Sequence, residues 1–172
     1  MDSSPFRDAR KALRAEDFDA FDSVIASGFD PNTKTAGDHW NLLHASLVSV
    51  MKKPSIRVIK RLIDLGVDVD ARDAEGWTPL HFAVRTKDTD VVQALIDANA
   101  TVNVLNEEGI SPLHLCFTLS PFQKRIAGAL LAAGADPRLQ NGETGSGYSY
   151  VCKVVGTEDD PRVEVLKKYG RW

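Results

Sequence analysis

The chain has 172 residues, 43% of them hydrophobic and 26% charged, with a formal net charge of −3. That length is one modest domain's worth of chain, and its apolar content suffices for one continuous core. The mild acidity removes any global bias toward nucleic acid. The absence of an apolar run of about 18 residues excludes a helical membrane span.

Taken in order, the first residues, Met1 to Phe6, lack the basic start and apolar core of a secretion signal. With only Cys116 and Cys152, and Cys116 on the apolar side of a helix beside Leu115 and Phe117, a reduced buried thiol and a cytoplasmic location are expected. Val24-Ile25-Ala26-Ser27-Gly28-Phe29-Asp30-Pro31-Asn32 reads as the end of a helical unit with a degenerate start. Trp40-Asn41-Leu42-Leu43-His44 opens a second unit, which runs through Val58-Ile59 and Leu62-Ile63 to Gly66-Val67-Asp68-Val69-Asp70. Its extra length falls around Ser49 to Pro54, where an enlarged, exposed loop between two helices is expected.

Gly76-Trp77-Thr78-Pro79-Leu80-His81 opens the third unit. Thr78 is placed to cap a helix, and Pro79 suits the first helical position because it has no N–H to lose. Leu80, Ala83 and Val84 form an apolar stripe at helical spacing, Lys87-Asp88 a polar turn, and Val91, Val92, Leu95 and Ile96 the stripe of a second helix. Asn99 stands where a helix ends in a left-handed residue, a place that Gly28, Gly66 and Gly134 take elsewhere. Asp73, Glu75 and Gly76 are turn formers, which points to a projecting finger between helix pairs. The opening recurs 33 residues later as Gly109-Ile110-Ser111-Pro112-Leu113-His114, and that unit carries a small insertion at Ser120-Pro121-Phe122. Asn141-Gly142-Glu143-Thr144 begins a last, divergent unit in which Gly145 replaces proline and no histidine follows.

Self-similarity at this period means small units that each bury an apolar face on their neighbours. Thr78-Pro79-Leu80-His81 ahead of an apolar helix resembles the ankyrin repeat. The expected fold is an all-α repeat solenoid: about five stacked ankyrin-like helix-turn-helix units with projecting finger loops. A single domain, 1–172, divides into an N-terminal cap unit (6–32), central units (36–70, 73–103 and 106–138) and a divergent C-terminal cap unit (141–172).

His44, His81 and His114 invite a metal or catalytic reading. Equivalent positions in successive units lie about a repeat apart, too far to share one ion at bonds of ~2 Å. The resemblance implies a structural histidine that bonds to the backbone of the adjoining finger. No phosphate loop, zinc-binding His-Glu-x-x-His or nucleophile elbow is present, so neither enzyme activity nor a cofactor is expected.

The resemblance instead implies a non-catalytic module that binds another protein through its fingers and concave helix face. The candidate contact residues are Trp40, Trp77, Asp38, Asp73, Glu75, Arg85, Glu107, Glu108, Ile110 and Leu119. Trp40 and Trp77 occupy equivalent finger positions and are either partner anchors or stacking elements between fingers. The fingers carry acid, while Lys52, Lys53, Arg57, Lys60, Arg61, Lys124 and Arg125 gather on second helices and connecting loops. That segregation points to a basic protein partner steered by charge. Val48 and Leu119 are apolar where solvent is expected, which favours an interface. An inhibitor or immunity protein that covers a toxin or enzyme is one form of this reading, and a two-faced adaptor is the alternative. Neither nucleic acid nor membrane is expected as a partner, and the free chain is expected to be a monomer.

Overall fold

The computed structural model describes residues 4–48, 53–139 and 159–170, and these contain nine helices. They are α1 (Pro5–Ala15), α2 (Phe18–Ala26), α3 (Leu42–Leu47), α4 (Ile56–Asp64), α5 (Pro79–Thr86), α6 (Thr89–Asp97), α7 (Pro112–Thr118), α8 (Lys124–Ala132) and α9 (Pro161–Lys168). The described residues contain no strand. Helix starts follow the chemistry of their caps. Asp17, Asn41, Asp88, Ser111 and Asp160 each accept a first-turn amide through the side chain, satisfying donors the helix cannot. Proline opens α1, α5, α7 and α9. The second helices α2, α4, α6 and α8 are each followed by a left-handed residue: Gly28, Gly66, Asn99 (φ 62°) and Gly134.

The helices form two layers. The first helices α1, α3, α5 and α7 pack on one another in sequence, and the second helices α4, α6, α8 and α9 do the same. Between the layers, Leu42, Leu43, Leu80, Leu113 and Phe117 meet Ile59, Leu62, Leu95, Ile126 and Leu130, all essentially without exposure. The apolar core runs unbroken from Ala9 and Leu13 to Val163 and Leu166. Each such side chain contributes ~1.5–3 kcal/mol on burial. The ion pair between Arg61 of α4 and Asp22 of α2 is short, 2.6 Å, but both side chains are more than a third exposed. A pair of that kind contributes under about 1 kcal/mol, so apolar burial sets the stack.

A polar ladder runs beside this core. Asn32 donates to the Gly66 carbonyl and accepts from Asp68 N–H; Asn103, two units on, makes the same pair with Gly134 and Asp136. Asp70 holds the corresponding place in the intervening unit. A carboxylate cannot donate, so Asp70 accepts twice, from Thr101 N–H at 2.8 Å and the Thr101 hydroxyl at 2.6 Å.

The two insertions sit between helices. Residues 119–123 join α7 to α8, where Lys87 and Asp88 alone join α5 to α6. Most of the expected Ser49 to Pro54 loop lies outside the described residues, as do the Gly142–Gly147 stretch and Cys152. Val48 and Leu119 depart from expectation: both are half-buried and pack against the core, because each follows the last turn of a short first helix.

Gly76 is the tightest point between fingers. Its φ is +77°, and a Cβ there would lie 3.1 Å from Glu107 N and 2.7 Å from Arg72 Nη2. Gly76→Ala is therefore expected to cost about 1–2 kcal/mol, as strain plus displacement of the next finger. Urea unfolding measures it, and wild-type stability in the variant would contradict this packing.

A candidate protein-binding groove between the fingers

Each finger is a closed turn set by one side chain. In the second, Asp73 N–H donates to the Trp77 carbonyl, and Asp73 Oδ1 accepts from both Glu75 N–H (3.0 Å) and Trp77 N–H (2.8 Å). Asn106 plays the same part for Ile110 in the third finger. Thr35 does so for Trp40 in the first, one residue longer, with His39 in the left-handed region at φ 56°. The fingers are tied in series by Ala74 N–H to the Asp38 carbonyl (2.9 Å) and Glu107 N–H to the Glu75 carbonyl (3.0 Å).

Buried histidines bolt fingers to helices. His44 Nε2 lies 3.1 Å from the Trp77 carbonyl and His81 Nε2 3.0 Å from the Ile110 carbonyl. A carbonyl only accepts, so each Nε2 carries the proton, and Nδ1 of His81 accepts from Thr78 N–H at 3.1 Å. Both rings are fully buried. Burial lowers the pKa of each, opposed by the carbonyl contact, and brings His81 to about 4. Each ring is thus neutral and structural at neutral pH. His114 is half-buried, and its backbone N–H donates to the Ser111 hydroxyl oxygen at 3.1 Å. Cys116 is a free, buried thiol whose pKa burial pushes up to about 12, so it is protonated and inert.

Between the first two fingers lies an open groove lined by Asp38, Trp40, Asp73, Ala74, Glu75, Trp77, Phe82 and Arg85. Six of the ten candidate residues meet there. The floor is aromatic: Phe82 receives Trp40 edge-on at 6.1 Å and lies 6.0 Å from Trp77. The guanidinium of Arg85 stands over Trp77 at 5.6 Å and over Phe82 at 5.9 Å. The Trp40 indole N–H points at Asp73 Oδ2, 3.4 Å away. The two tryptophans are half-buried, so each both supports the fingers and shows a face to solvent.

Glu107 and Glu108 are exposed on the third finger, Ile110 is half-buried beneath it, and Leu119 ends α7; none of the four lines the groove. Sequence reading missed Phe82, which lies beside His81 and one turn before Arg85. The signal was available: positions three apart on a helix share a face, so Phe82 and Arg85 form one aromatic–cation surface.

Stacked helix pairs with a tied row of fingers define a helical repeat scaffold. The chain belongs to the ankyrin-repeat family: it matches "Ankyrin repeats (3 copies)" over residues 10–104 and 47–141. Repeats of this family generally mediate protein–protein interaction and are typically non-catalytic. No curated protein matches the chain. Among the described residues no helix is long and apolar enough to cross a membrane, and no group of three or more His, Cys, Asp or Glu residues is placed to hold a metal ion.

Proposed function

We propose that this chain is a cytoplasmic, non-catalytic binding module that grips a basic partner protein through its finger edge, and that it acts as an inhibitor or immunity protein by covering that partner's working surface. The groove carries the reading, because it joins an aromatic floor to acidic fingertips on a scaffold with a rigid backbone ladder. Aromatic side chains on a pre-ordered surface make good anchors, since little entropy is lost when they are covered. The charges of Glu107 and Glu108, outside the groove, serve to steer approach.

The test is capture of a partner from extracts of the source cells, followed by rate measurements on variants. Trp77→Ala, with its fold checked by circular dichroism, is expected to weaken binding by ~2 kcal/mol or more, chiefly through faster dissociation. Reversing Glu107 and Glu108 is expected to slow association, an effect that shrinks in high salt. Lys60→Glu, on the exposed face of α4, is expected to change little. If the Lys60 variant loses the partner while the Trp77 variant keeps it, the opposite face binds. A captured protein whose activity survives saturation would replace the inhibitor with an adaptor.

A further inference from the structure

We propose that the groove is a seat for one arginine side chain of the partner, held against the rings of Trp77 and Phe82 and the carboxylates of Asp38 and Glu75, and that Arg85 fills this seat in the free chain. The inference rests on the binding reading above. Its ground is the intramolecular occupant: the groove already holds a guanidinium 5.6 Å and 5.9 Å from two ring centroids, a geometry that attracts cations. Arg85 is exposed and forms no ion pair among the described residues, although three carboxylates line the same groove. Its hold on the seat is therefore through the rings alone, and it can swing out.

The carboxylates divide by duty. Asp73 is committed, with Oδ1 receiving two backbone N–H groups and Oδ2 facing the Trp40 indole. Asp38 and Glu75 are exposed, and neither carboxylate has a hydrogen-bond or ion-pair partner among the described residues. Two open carboxylates against one arginine held by the rings leave the site in want of a cation. A guanidinium suits it better than an ammonium, because its plane stacks on a ring while its edge offers forked donors to a carboxylate. An acidic partner residue could pair with Arg85 only by facing Asp38 and Glu75 as well.

The probe is a capped glycine–serine peptide of about seven residues with one central arginine, compared with the same peptide carrying citrulline or glutamate. The ¹H–¹⁵N signals of the Trp40 and Trp77 indoles, assigned with Trp40→Phe and Trp77→Phe, report occupancy. The arginine peptide is expected to shift both signals saturably at millimolar concentration, and the citrulline and glutamate peptides to leave them in place. Arg85→Gln is expected to tighten arginine binding roughly fivefold, since a competing cation leaves the rings. Asp38→Asn with Glu75→Gln is expected to weaken it roughly tenfold. The seat is overturned if the glutamate peptide is the one that binds, if citrulline binds as well as arginine, or if Arg85→Gln weakens the arginine complex. It is also overturned if neither the wild type nor Arg85→Gln responds. Should the arginine peptide fail while partner capture still depends on Trp77, the seat falls and the binding face stands. Should capture be indifferent to Trp77, the binding face falls whatever the peptide does.

Discussion

Phe82→Ala is expected to lower stability by about 3–5 kcal/mol, the usual cost of deleting a buried phenyl ring. The ring is 8% exposed and meets three other rings: Trp40 at 6.1 Å, Trp77 at 6.0 Å and His44 at 5.3 Å. Those neighbours come from two fingers and the preceding first helix, α3, so the void cannot be filled by moving one side chain. His44 also bonds to the Trp77 carbonyl, and loosening the ring cluster loosens that bolt. Urea unfolding gives the size of the loss, and the near-ultraviolet circular dichroism of the tryptophans shows its place. Phe82→Leu, which keeps much of the volume, is expected to lose far less and to retain the tryptophan signal. A loss below about 1 kcal/mol in Phe82→Ala would mean that the fingers collapse onto the gap, and that the groove is softer than its hydrogen-bonded turns imply.

The helix pairs were legible because each leaves a local mark. Thr78-Pro79 and Ser111-Pro112 fix helix starts through capping and a preset φ. Gly28, Gly66, Asn99 and Gly134 fix the ends of second helices through left-handed backbone. The histidine role was legible only through the family resemblance, since no local rule predicts that His81 reaches Ile110, 29 positions away. The groove was half legible. Its acids and tryptophans stand out as turn-borne residues at equivalent positions, yet Asp73 proves to be mainly the knot that closes its own finger. Phe82 was missed because a buried aromatic on a helix reads as core, and whether one of its faces borders a groove depends on the neighbouring finger. Val48 and Leu119 are half-buried because short first helices let the residue after the last turn fold back onto the core.

Acid is expected to destabilise the fold between pH 6.5 and 4 through its buried histidines. His81 is fully buried and neutral, with burial lowering its pKa from 6.5 to about 4 against the opposing bond to the Ile110 carbonyl. The unfolded chain, with a histidine pKa near 6.5, takes up the proton first as pH falls. The contribution of His81 is therefore complete above pH 6.5, declines between 6.5 and 4, and is gone below 4. The shift corresponds to ~3 kcal/mol in full, most of it lost by pH 4.5, at about 1.36 kcal/mol per unit. His44 and His114 are lowered by burial as well, which adds in the same direction. Protonation at His81 puts a charge beside the Arg72 guanidinium and between the second and third fingers, so the finger row is expected to loosen ahead of the helix stack. The measurement is urea unfolding of the wild type and His81→Ala at pH 7 and at pH 4.5. The variant is expected to be less stable at pH 7, because a buried carbonyl loses its donor, and to lose less on acidification, so that the two curves converge. Parallel losses in both proteins would place the acid sensitivity elsewhere and would mean that His81 is charged, or freely hydrated, in the native fold.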